Sequence, residues 1–165
     1  MKCPTRRYIV TTIHDVEDFL ALHRIAMVGV SRNPKDFSRL LFREMCDRGY
    51  DMVPINLVAE EIDGRECFQC LQAVKEPVQG VLVMTPCSET IRVVQDCAAA
   101  GVRNVWIYRA GGKGAVSPEA IEFCKENGIR VVEGLCPFMF FPETKFVHRV
   151  HGLLQKITRR YPAAA

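Results

Sequence analysis

Arg24-Ile25-Ala26-Met27-Val28-Gly29-Val30-Ser31-Arg32-Asn33-Pro34-Lys35-Asp36-Phe37-Ser38-Arg39 is the stretch on which the fold turns. Ile25 to Gly29 read as a short buried strand that closes on a glycine, and a polar, basic turn follows. Leu40-Leu41-Phe42-Arg43-Glu44-Met45 then resumes apolar residues at helical spacing. Strand, glycine turn and helix make up the opening unit of a nucleotide-binding α/β domain. A phosphate group is expected at the turn. The first N–H groups of the helix have no intrahelical partner and carry the positive end of its dipole.

Outward from this unit the alternation continues. Asp51 to Asn56 reads as strand two, and Pro54 within it is expected to end regular pairing there. Glu60 to Gly64 reads as a polar loop, Arg65 to Phe68 as a short extra strand, and Leu71 to Val74 as a brief helix. Val78 to Met84 is strand three, ending at Thr85-Pro86. Its continuous apolar run suits a parallel strand covered on both faces. Ser88 is placed to cap a helix striped by Ile91, Val94, Cys97 and Ala98. Asn104 to Tyr108 is strand four, and Gly111 to Gly114 a glycine-rich loop without P-loop spacing, read first as a surface turn and second as a source of Arg109 or Lys113 for a ligand. Ser117-Pro118 opens a helix that ends at Asn127-Gly128, and Ile129 to Val132 is strand five. Upstream, Thr12 and Asp15 have the spacing of a capping box for a helix carrying Val16, Phe19 and Leu20.

The fold expected is therefore α/β: a Rossmann-like open, mainly parallel five-stranded sheet with helices on both faces, spanning 1–165 as a single domain. Cys136 to Pro142 is too proline-bound for a helix. Its Phe138 to Phe141 run reads as core, with an association surface as the alternative. A last amphipathic helix is expected from about Lys145 to Arg160, its basic side solvated.

Composition narrows the function classes. The chain has 165 residues, 48% hydrophobic and 25% charged, which is ordinary for one globular domain. Its net charge of +3 does not require nucleic acid as a partner. Met1 to Val10 lacks the apolar core of a secretory signal, and no apolar run reaches the length of a membrane span, so a cytoplasmic location is expected. The eight cysteines are scattered through core-like segments and read as free thiols. Cys67 and Cys70 have Cys-x-x-Cys spacing, but a structural zinc needs four ligands and no second pair exists. His14, His23, His148 and His151 all fall in the terminal helices. No Ser-His-Asp order, metal-spaced histidines or paired carboxylates can be picked out, so no catalytic or metal residue is assigned. Cys136, after strand five, is the one nucleophile candidate, and it reads first as a small buried thiol.

Two tests for a dinucleotide fail. The turn has the single glycine Gly29 where Gly-x-Gly-x-x-Gly is wanted, and strand two closes on Asn56 where a carboxylate would hold the ribose. The turn instead offers the Ser31 hydroxyl, with Arg32, Lys35 and Arg39 nearby. That set suits a ligand bearing a pyrophosphate and a further phosphate.

Ile25 to Ser31, Gly49-Tyr50, Val53-Pro54-Ile55-Asn56, Gly64-Arg65, Thr85-Pro86, Gly101 before Val105-Trp106, and Cys136-Pro137 together resemble the stand-alone CoA-binding domain family. That family is similar to the nucleotide-binding domain of the succinyl-CoA synthetase alpha subunit. The likeness runs from about Val16 to Phe140. It implies coenzyme A, free or as an acyl-CoA, laid across the strand ends. The phosphates would lie near Gly29, Val30, Ser31 and Arg32, with Arg39 as a charge partner. Asn56 would approach the adenosine, and Thr85 and Pro86 the pantetheine. The function expected is non-catalytic CoA binding, with a second copy of the chain or another protein as further partner. The alternatives are an NAD(P)-binding oxidoreductase with a degenerate fingerprint, and a regulatory or protein-interaction domain with a vestigial pocket. Redox chemistry between the CoA thiol and Cys87 or Cys136 is a further reading.

Overall fold

The computed structural model describes residues 11–109 and 114–142. Seven strands and four α-helices alternate along them: α1 Ile13–Leu20, β1 Arg24–Val28, α2 Phe37–Asp47, β2 Asp51–Ile55, β3 Glu61–Ile62, β4 Arg65–Glu66, β5 Gly80–Val83, α3 Cys87–Ala99, β6 Asn104–Ile107, α4 Pro118–Glu126 and β7 Arg130–Glu133. The loop residues 110–113 and the expected helix beyond Lys145 lie outside the described residues.

β1, β2, β5, β6 and β7 form one parallel sheet in the order β2-β1-β5-β6-β7. Alternate residues of the central strands feed two cores. Ile25, Met27, Leu82 and Trp106 face α1 and α2, with Val16, Phe19, Leu41, Phe42 and Met45 closing over them. Ala26, Val81, Val83, Val105 and Ile107 face α3 and α4, against Val94, Cys97, Ile121 and Cys124. Both faces are covered, as the apolar runs require. Phe138 and Phe141 fold into the first core behind a 3₁₀ turn at Pro137–Met139, so this run is core. The Trp106 indole is fully buried, and its Nε1 donates to the Leu135 carbonyl at 2.9 Å.

Three details depart from the sequence expectation. The β1–β2 ladder continues through Pro54 to Ile55. β2 is the edge of the five-stranded sheet, where a proline is tolerated, and the Pro54 carbonyl accepts from the Phe68 N–H on the outer side. Glu60 to Gly64 is not a plain loop: β3 and β4 make a small antiparallel hairpin over Asp63-Gly64, both with positive φ. α3 begins at Cys87, with Pro86 rather than Ser88 at its cap, and its buried face is Thr90, Val93, Val94 and Cys97. The Thr12–Asp15 capping box and the Ser117 cap form as read.

Candidate functional site

β1 leads through α2 to β2 on one side, and the chain then crosses to β5 on the other side of β1. The strand order reverses at β1. In open α/β sheets the connections there depart to opposite faces and leave a crevice beyond the carboxyl ends of the strands. A cleft of about 830 Å³ occupies this place. Its inner wall is Val28 and the turn Gly29 to Asn33. One lip is the end of β2, from Ile55 to Val58, backed by Gln69 to Leu71. The opposite lip is Thr85, Pro86 and the outer face of α3. A smaller lobe of about 380 Å³ shares Gly29, Ser31, Thr85 and Pro86 and runs toward Phe37 and Tyr108, whose rings stack at 5.4 Å.

Gly29, at φ +90°, makes the sharp exit from β1. A Cβ there would lie 2.9 Å from the Thr85 nitrogen, so its bareness serves contact with the end of β5. The turn is tied from below. Ser31 N–H donates to Ser38 Oγ at 2.9 Å, Asn33 N–H to Ser31 Oγ at 3.1 Å, and Asn56 Nδ2 to the Val30 carbonyl at 2.9 Å. Asn56 Oδ1 accepts from the amides of Val58 and Ala59 at 3.0 and 3.1 Å. The peptide N–H groups of Val30 and Arg32 donate no hydrogen bond among the described residues, and the Ser31 hydroxyl keeps its own proton to give. Thr85 Oγ1 is buried without a partner among those residues.

The positive end of α2 is not where an anion would sit. Its cap is Asp36, whose carboxylate accepts from Ser38 N–H at 2.8 Å and already supplies the negative charge. The helix also starts well past Gly29, so the turn residues line the main cleft, and the first helical turn, at Phe37 and Ser38, borders only the smaller lobe.

Arg39 is likewise placed differently from its sequence reading. It does not line the cleft. Only 7% exposed, its guanidinium lies beneath the turn and donates to the carbonyls of Ser31 and Arg32, each at 3.2 Å, and to the Asp63 carboxylate. Arg43 reaches the same carboxylate at 3.0 Å. Hydrogen bonds from these two arginines hold Asp63 down at about 2, well below the usual carboxylate range. Arg39 thus positions the turn and is committed to a partner.

Gly29, Val30, Ser31, Arg32, Asn56, Thr85 and Pro86 are brought together around the cleft from three separate segments. Missing from the sequence reading are Leu57 and Val58, the Gln69 to Leu71 segment, and Glu89, Arg92 and Asp96 of α3. The last three had a legible signal, since positions i, i+3 and i+7 share a helix face. The 69–71 segment had none; it arrives through the parallel bridge between Ile55 and Phe68. Of the cysteines weighed as reactive, Cys136 is buried in the first core, which pushes its thiol up to about 11, and neither it nor Cys87 lines the cleft. The seven described cysteines are free thiols. Among the described residues, no group of acidic, histidine and cysteine side chains could hold a metal ion, and no helix is long and apolar enough to cross a membrane.

The family model of the CoA binding domain matches residues 23–142, most of the chain. This protein belongs to the CoA-binding domain family. The uncharacterized protein YneT of Bacillus subtilis is 28% identical over 113 residues, covering 68% of this chain and 81% of that protein. An ADP-forming acetate–CoA ligase of Methanocaldococcus jannaschii is 22% identical over 116 residues. That match takes in 68% of this chain but 16% of the ligase, so this CoA-binding domain corresponds to one part of a much longer enzyme. A hypothetical protein from Pyrococcus horikoshii superposes with a TM-score of 0.72 at 24% identity, covering 82% of this chain and 94% of that one, and shares the fold. The cleft, the turn and both lips lie inside the segment that matches the family.

Proposed function

We propose that this protein is a single, non-catalytic module that binds coenzyme A, free or as an acyl-CoA, in the cleft at the carboxyl end of the sheet. The observation that carries the reading is the open hydrogen-bonding capacity around the Gly29 turn. The Ser31 hydroxyl and the N–H and guanidinium of Arg32 belong to residues on one wall of a cleft large enough for a nucleotide, with the unpaired N–H of the buried Val30 directly behind them. Val30 to Arg32 hold the pyrophosphate. Arg39 and Asn56 act beneath them as positioning residues. The exposed Leu57 and Val58, with Leu71, offer apolar contact to the adenine. Thr85 Oγ1, unpartnered at the junction of the two lobes, suits the amide-bearing pantetheine arm.

A dinucleotide draws less support, because both polar ends of Asn56 are engaged within the protein and no carboxylate lines the β2 lip.

Calorimetric titration with CoA, acetyl-CoA and NAD tests it. Saturable heat with the two CoA compounds and none with NAD is the expected result; flat traces with both CoA compounds overturn the reading. Acetyl-CoA incubated with the protein is expected to release thiol no faster than in buffer. Accelerated release would make the module an enzyme.

A further inference from the structure

The sequence offered three cations around the turn for the phosphates of a ligand, and the structure leaves one of them at the cleft. Arg39 is committed to Asp63 and to two carbonyls beneath the turn, and Lys35 lies outside the cleft walls. Arg32 lines the cleft on the turn side. Among the described residues, one other cation lines it: Arg92, on the opposite lip, from the outer face of α3. Its side chain is 80% exposed, and its nearest charged neighbour, Glu89, is 3.8 Å away, beyond a firm hydrogen bond. Arg92 therefore holds no strong internal contact that a ligand would have to break.

We propose that Arg92 is the specificity residue of this cleft, reading a phosphate on the ligand's ribose from across the cleft while the Gly29 turn holds the pyrophosphate. The assignment rests on the CoA reading above and deepens it. A CoA molecule carries two separated anionic groups, the pyrophosphate and the ribose 3′-phosphate. The turn supplies amide donors, a hydroxyl and Arg32 to the first and has no second cation at the cleft for the other. α3 supplies that cation with Glu89 and Asp96 on either side of it along the same helix face. The two carboxylates weaken the pull of this lip on an anion, so the attraction is confined to the Arg92 guanidinium and is sensitive to salt. The apolar Leu71 and Val93 line the cleft too and offer the base a place between the two charged walls.

The test compares CoA with dephospho-CoA, which differ only in the 3′-phosphate, by calorimetry on the whole chain. Wild type is expected to prefer CoA by about tenfold, a preference that shrinks as salt is added. Arg92→Gln is expected to bind the two ligands alike, and Arg92→Lys to restore part of the preference. Arg32→Gln is expected to weaken both ligands while keeping their ratio. Equal melting temperatures of wild type and Arg92→Gln would keep folding out of the comparison. If wild type binds both ligands equally, or Arg92→Gln keeps the tenfold ratio or weakens both in proportion, Arg92 does not read the phosphate while the CoA reading stands. If neither ligand binds wild type, the CoA reading itself fails and this assignment with it.

Discussion

At Gly29 a side chain would meet protein backbone before it met any ligand. A Cβ there would press on Met84 and Thr85 at 3.0 and 2.9 Å, on a residue already at φ +90°. Gly29→Ala should therefore cost about 2–4 kcal/mol, from left-handed strain together with overpacking. Urea unfolding measures this, and a loss under about 1 kcal/mol would show that the end of β5 yields easily. Glu133 presents the opposite problem, a charge with too few partners. Burial raises its carboxyl to about 6, and Oε2 has no hydrogen bond among the described residues. The neutral form is the comfortable one, so its contribution is present below about pH 4.5 and lost as pH rises through about 6. Glu133→Gln should stabilise the protein at pH 8 by about 1–2 kcal/mol and change little at pH 4. Melting temperatures across that range check the sign. A variant that melts lower at pH 8 would mean the carboxylate has a partner worth keeping.

At the scale of elements, the β3–β4 hairpin and α2 form one unit with the turn, joined through Asp63. Arg39 ties that carboxylate to the carbonyls of Ser31 and Arg32, so the hairpin braces the floor of the cleft. The depressed pKa sets an acid limit. The stabilisation is complete above about pH 4 and is lost as pH falls through about 2, and it amounts to about 2 kcal/mol. Asp63→Asn should lose that amount at pH 7 and flatten the stability profile between pH 4 and 2. If its acid limb matches wild type, other carboxylates govern acid unfolding. The edge strand β2 adds a second lesson. Pro54 argues against regular pairing only in an interior strand. That β2 has sheet on one side and the Phe68 segment on the other is a property of strand order, which local sequence does not carry.

For the whole molecule, a ligand that binds only the folded chain raises its stability by mass action. CoA at a hundred times its dissociation constant should add about 2.7 kcal/mol, or about 5–10 °C in melting temperature for a domain of this size. NAD at the same concentration should leave the melting curve in place. An equal rise with both would point to a site that reads only the shared adenine nucleotide. The sequence by itself determined the five sheet strands, the order of helices between them and the two caps at Thr12 and Ser117, and it pointed to the Gly29 turn, Asn56 and Thr85-Pro86 but not to the 69–71 segment or the α3 face. These follow from local period, turn chemistry and apolar runs, all of which are written in consecutive residues. It also carried the family likeness, because Gly29, Asn56 and Thr85-Pro86 stand in order along the chain. Only the tertiary structure decided which polar groups are left over to meet a ligand. Arg39 and Arg32 look equivalent in sequence; one is spent on Asp63, 24 residues away, and the other lines the cleft with no side-chain partner among the described residues. Arg92 looks like an ordinary surface cation until the fold sets α3 across from the turn. A side chain's availability depends on partners distant in sequence, and those partners exist only once the chain has packed.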